Sequence, residues 1–167
     1  SYNPYGGAIK WRGSIFISSE TSIFKYDIGG QQAILSLVGP DRDGGLPSGY
    51  GSKVSWMTTS LNDLIVGLNG TGTDKGLLLA WNGQGWRVLS ELAASQNFSP
   101  GTPIVAGAYG DYRCWFASDE GDYIKYLKLP SAIVNPLQIS TYPYAASAVH
   151  DWPWFTSDSS AQTKVAV

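Results

Sequence analysis

Gly76–Trp81, then Asn82-Gly83-Gln84-Gly85, then Trp86–Leu92 is the stretch on which the fold turns. Asn82-Gly83 supplies the positive φ that a tight turn between antiparallel strands demands, and Trp81 and Trp86 on either side can pair across the strands. The run Leu77-Leu78-Leu79-Ala80 has no polar alternation, and neither has Leu64-Ile65-Val66 before it, the pattern of strands buried on both faces. With Lys53–Thr58 and Asp63–Gly67 upstream, the unit holds four short strands. The polar, glycine-rich segment Asn69–Gly76 is expected to project into solvent between the second and third.

The same four-run pattern lies on both sides of this unit, at a spacing of about 45–50 residues, the period of propellers and other repeat arrays. Before it stand Ala8–Trp11, Ser14–Ser18, Ser22–Tyr26 and Ala33–Gly39. After it stand Pro103–Ala108, Arg113–Ala117, Tyr123–Leu127 and Leu137–Pro143. The runs are separated by Gly, Asn, Asp, Ser and Pro, the residues of turns between adjacent strands. Four antiparallel strands per repeat make a propeller blade. The predicted fold is all-β, a β-propeller of about three four-stranded blades (8–39, 53–92 and 103–143). A fourth blade or a following domain starts at 145–167, and the whole is one partial domain over 1–167. Gly39–Ser52 is the irregular crossing from the first blade to the second, and Pro130–Pro136 is a loop. The chain has no initiator Met and begins and ends inside the repeat, so it reads as a piece of a longer polypeptide. Flanking sequence or partner chains are expected to complete the ring.

Composition sets the outer bounds. At 43% hydrophobic and 14% charged the chain belongs to the globular class. Twenty Gly, nine Pro and the abundance of Ile, Val, Tyr, Trp and Thr favour strands, and a single turn of helix is expected only at Ala93–Gln96. The net charge of −2, with Lys and Arg scattered singly, leaves no basic stripe for nucleic acid. No apolar run is long enough to span a membrane as a helix. The one cysteine, Cys114, sits in an apolar run and is expected in the core. Seven Trp and ten Tyr exceed what a core alone requires and point to contact with another surface.

Gly45-Leu46-Pro47-Ser48, then Val54-Ser55-Trp56-Met57, Leu64-Ile65-Val66-Gly67, Gly76-Leu77 and Trp81-Asn82-Gly83 resemble the blade repeat of large bacterial and phage propellers. There a Gly-Leu-Pro opening leads to an inner strand, a middle strand ends in glycine, and a third ends in an aromatic-Asn-Gly turn. With Leu127-Lys128-Leu129-Pro130, Asn135-Pro136 and Trp152-Pro153-Trp154-Phe155, the chain also looks like the propeller regions of tailed-phage structural proteins. That resemblance implies a role in virion architecture or host contact, and a virion or extracellular location. It transfers no functional residue, because the three units differ at most matching positions.

Catalytic patterns are thin. His150 is the only histidine, and Asp151 beside it would point to the opposite face of a strand. Ser118-Asp119-Glu120-Gly121 only half matches the Asp-box turn of sialidases, and Arg12, Arg42, Arg87 and Arg113 are too scattered to form a triad. Asp41-Arg42-Asp43-Gly44-Gly45 is a partial calcium-loop pattern lacking the further acidic ligands of a full site, so no metal is assigned and Asp41 and Asp43 remain a weak candidate beside a turn bonded to its own backbone. Tyr112, Trp115, Trp152 and Trp154 could form an aromatic platform on which sugar rings stack, although packing between blades explains the same residues.

The expected function is that of a non-catalytic structural module in a larger assembly, binding no cofactor. Its partners would be other protein subunits or flanking domains. A glycan-binding propeller is the alternative, and a glycoside hydrolase is a weaker one.

Overall fold

The computed structural model describes residues 7–29, 32–41, 46–51, 53–99, 103–108, 111–119 and 124–130. The expectations placed on Asp43, Leu137–Pro143, 145–167, His150, Trp152 and Trp154 lie outside the described residues. Turn chemistry sets the strand boundaries. Arg12 and Gly13 both take positive φ, 48° and 84°, which is the twist of a two-residue hairpin loop, and they join β1 (Ala8–Trp11) to β2 (Ser14–Ser19). Glu20, also at positive φ, turns β2 into β3 (Ser22–Gly29), and β4 (Gln32–Leu37) completes a four-stranded meander.

The second sheet, β5 (Lys53–Thr59), β6 (Leu64–Asn69), β7 (Lys75–Trp81) and β8 (Trp86–Ala94), has the same topology. Its β7–β8 turn is closed by the Asn82 side chain, whose Oδ1 accepts from the amides of Gln84 and Gly85 at 2.8 and 2.9 Å, while Gly83 supplies the positive φ. Trp81 and Trp86 pair across the strands with ring centroids 5.2 Å apart. The third sheet holds β9 (Ile104–Ala108), β10 (Asp111–Ala117) and β11 (Ile124–Leu129), ordered β11-β10-β9. All strand pairs in the three sheets are antiparallel.

The chain is all-β among the described residues, with no helix there that is long and apolar enough to cross a membrane. The helical turn expected at Ala93–Gln96 does not form. Lys75 pairs with Ala94, so β8 runs on through a register shift and turns only at Ser95, whose φ is 63°. Cross-strand pairing outweighs the local propensity of Glu91–Ala94. Nor does the β6–β7 loop stand free. The Gly70 amide donates to Gln96 O, Ser95 Oγ donates to Gly72 O, and Asn69 Oδ1 accepts the Phe98 amide at 2.9 Å, which ties the loop to the end of β8.

The sheets stack face to face, with sheet 2 in the middle. Leu64, Val66 and Leu68 of β6 and Leu77 and Leu79 of β7 point one way, into a cluster with Trp11, Phe16 and Ile23 of sheet 1. Ile65 of β6 and Leu78 and Ala80 of β7 point the other way, into a cluster with Cys114, Phe116 and Leu129 of sheet 3. Every one of these sheet 2 residues is at most 2% exposed. The two-sided burial explains the unalternating apolar runs.

Between sheets, the close backbone approaches are first strand to first strand, β1 against β5 and β5 against β9. Ile34 of β4 and Val88 of β8, each directed towards the gap between sheets 1 and 2 by its register, remain substantially exposed. Polar links fasten the sheets at defined points. The Val54 amide donates to Glu20 O at 2.8 Å, Trp86 Nε1 donates to Val38 O at 2.6 Å, and Arg12 donates from Nη1 to Asn82 O and from Nη2 to Asn62 O.

Candidate functional site

Strand alternation decides which aromatic residues share a surface. In β10, Tyr112, Cys114 and Phe116 face sheet 2, whereas Arg113 and Trp115 face away from it. Register then adds partners from both neighbours. Trp115 lies opposite Tyr126 of β11 and Ile104 of β9, and Arg113 lies opposite Lys128 and Ala106. Of the four residues expected in an aromatic platform, this outer face holds Trp115. Tyr112 packs on the opposite side, against the cluster with sheet 2.

The face has a definite geometry. The Trp115 and Tyr126 rings are tilted by 46° with centroids 4.9 Å apart. The Arg113 guanidinium carbon stands 4.2 Å from the Tyr126 centroid and 5.6 Å from that of Trp115. A cation over a ring is worth about 0.5–1 kcal/mol at a partly exposed site, enough to hold the three side chains in one layer. Around them Ile104 and Ile124 are 63% and 70% exposed and Tyr126 is 48% exposed. The Arg113 guanidinium already occupies a face of Tyr126, with Ile104 and Ile124 beside the rings and the exposed Lys128 opposite Arg113. Its exposed isoleucines and rings form an apolar patch of the kind found at association sites, with cationic groups at one end.

The first sheet ends the stack with a similar surface. Ile15 and Ile17 of β2, Phe24 and Tyr26 of β3, and Leu35 and Leu37 of β4 share the face turned away from sheet 2, again by register. Ile17, Leu35 and Leu37 are among the exposed large hydrophobic residues. Strand alternation and the pairing registers together identify both surfaces. Tyr126, Ile104 and Ile124 had no mark in the sequence beyond their place on the same parity as Trp115.

Described carboxylates make local partnerships. Asp41, the part of the calcium-loop candidate that is described, accepts the Ser22 hydroxyl on Oδ2 at 2.5 Å. Asp63, 1% exposed, meets Arg87 Nη2 at 2.6 Å, and burial raises its pKa against the pull of Arg87 and Arg12. Asp27 is held below its usual value by hydrogen bonds from Lys25 and Ser14. Asp119 accepts the Asn97 amide at 2.5 Å. No group of three or more His, Cys, Asp or Glu side chains among the described residues could hold a metal ion. Burial pushes the Cys114 thiol up to about 12, so the thiolate that would react or ligate is suppressed. Comparison with protein-family models, with curated proteins and with solved structures gives no match.

Proposed function

We propose that this chain is a structural segment of a β-propeller, its three sheets serving as successive blades, and that it works by contact within a larger assembly rather than by catalysis. The observation that carries this reading is the pair of apolar faces ending the stack, Ile17, Leu35 and Leu37 on one side and Ile104, Ile124 and Tyr126 on the other. Surfaces of this kind mark sites of association. The meander topology of the two four-stranded sheets and the first-strand approaches, β1 to β5 and β5 to β9, support a radial arrangement about an axis near those strands. The likeness of the Gly45–Gly83 region to phage propeller repeats supports placing the assembly in a virion, at a subunit interface or a host-facing surface.

Cysteine labelling tests this. Leu35 is 59% exposed, so Leu35→Cys is tolerated, and the buried Cys114 does not compete for a maleimide. The variant is expected to label quickly in the isolated chain and slowly in the assembled particle. Equal rates in the two states, or a glycan-array signal abolished by Trp115→Ala, would overturn the reading.

A further inference from the structure

We infer that the β4 rim of sheet 1 is a self-association site, at which β4 pairs antiparallel with β4 of a second copy of this chain about a twofold axis through Leu35. The inference goes beyond the blade reading, because it uses the rim of one sheet and not the faces that end the stack. Exposure, hydrogen-bond phase and the chemistry of one short segment carry it.

Ile34 and Leu35 are consecutive in β4, so their side chains leave opposite faces of the sheet, and each is 59% exposed. Leu37 is 36% exposed, and Ala33 is exposed as well. An apolar strand this open on both faces is a surface suited to association. The phase of the ladder decides which main-chain groups look outward. Leu37 lies opposite Phe24, and the Val38 amide donates to Ile23 O at 2.9 Å, so Val38 and Ile23 form a hydrogen-bonded pair. By alternation Ser36 and Ile34 bond to β3, while the amides and carbonyls of Ala33, Leu35 and Leu37 point away from it. Those three residues are the ones a further strand engages.

Sheet rims are commonly guarded by charge, proline or bulges. In sheet 2, β8 carries Arg87 and Glu91, and its pairing with β7 has two register shifts. Ala33–Leu37 has none of these guards: Ala-Ile-Leu-Ser-Leu holds no charge and no proline, and its register with β3 is unbroken. The segment also complements its own inverse. With Leu35 on the twofold axis it meets Leu35 of the second copy, Ala33 meets Leu37, and Ile34 meets Ser36, so large side chains alternate with small ones and no like charges oppose. The apolar face of Ile17, Leu35 and Leu37 then runs on across the joint into the same face of the second copy. Twofold pairing occupies this rim in both copies and closes the assembly, which selects a second copy as the occupant.

Sedimentation equilibrium of the chain over a range of concentrations tests the inference, and a monomer–dimer equilibrium is the expected result. Leu35→Pro removes an amide that points away from β3, and should weaken the dimer about tenfold or more while tryptophan emission stays that of the parent. Leu35→Lys sets two cations against each other at the axis and gives the same loss by a second route if proline disturbs the strand. Leu35→Cys reads the register. Opposed hydrogen-bonded residues have Cα atoms about 5.5 Å apart, within disulfide reach, so mild oxidation should join two copies at position 35, with the buried Cys114 taking no part. A chain that stays monomeric throughout, a dimer indifferent to both Leu35→Pro and Leu35→Lys, or a dimer left unlinked at position 35 would overturn the inference. The blade reading survives each of these results, because it is judged by labelling of the open face in the assembled particle.

Discussion

The indole of Trp56 lies against Gly67, so close that a β-carbon on Gly67 would stand 2.7 Å from Trp56 Cε2 and 2.9 Å from Cζ2. Both residues sit on the side of sheet 2 that faces sheet 3, next to the register shift in β5 between Val54 and Trp56. Trp56 in turn meets Phe98 edge to face and packs on Phe116, so the absence of a side chain at Gly67 lets one ring organise the whole interface.

Gly67→Ala should therefore overpack this interface, at a cost of about 1–3 kcal/mol. Urea unfolding followed by tryptophan emission reads the cost. A stability equal to the parent would show that the indole shifts freely and that the contact is incidental.

Arg12 combines an unfavourable backbone conformation with two long-range hydrogen bonds, to Asn82 O at 2.9 Å and Asn62 O at 3.1 Å. Arg12→Ala is expected to lose about 1–2 kcal/mol, given that hydrogen bonds from charged donors are worth about 1.5–3 kcal/mol and the bond to Asn82 is solvent-exposed. Arg12→Gly should be milder by about 1 kcal/mol, because glycine enters the left-handed region without penalty. Denaturation midpoints of the two variants give the order.

Asp63 and Arg87 should behave as a coupled pair. Removing one partner, as in Arg87→Met, is expected to cost about 2–4 kcal/mol, and Asp63→Asn with Arg87→Met together less than the sum of the single changes. Because burial raises the Asp63 pKa above its ordinary 3.8, the folded chain holds that proton more readily than the unfolded one. The contribution of Asp63 to stability then falls as pH rises from 3.8 through the raised value. Urea melts across this range should show the slope in the parent and its loss in Asp63→Asn.

Cys114 should resist Ellman's reagent in the folded chain at pH 8, since its thiol titrates only near pH 12 and is fully buried. In denaturant the same thiol should react at the rate of a free cysteine. Rapid modification of the folded chain would mean that sheets 2 and 3 separate readily.

Local chemistry made much of the fold legible. Asn82-Gly83 between two tryptophans marked a hairpin, and Leu64–Val66 and Leu77–Ala80 marked strands covered on both sides, because each signal lies within a few residues of its effect. What depended on distant contacts was not legible. The β6–β7 loop is tethered by residues 95–98, and β8 continues past Leu92 because Lys75 pairs with Ala94. The expected platform joined Tyr112 to Trp115, whereas strand alternation separates odd from even positions and sends the two to opposite faces. Finding Tyr126 beside Trp115 required the register between β10 and β11, a relation no single strand encodes.

Because sheet 2 receives one wall from each neighbour, a chain emerging from the ribosome meets its two halves at different times. Leu64, Val66 and Leu77 can settle onto sheet 1 once residue 94 is made, whereas Trp56, Ile65 and Leu78 wait for Cys114, Phe116 and Leu129. During that interval the nascent polypeptide displays one greasy flank, the exposure that attracts holdase chaperones and, in their absence, premature clumping.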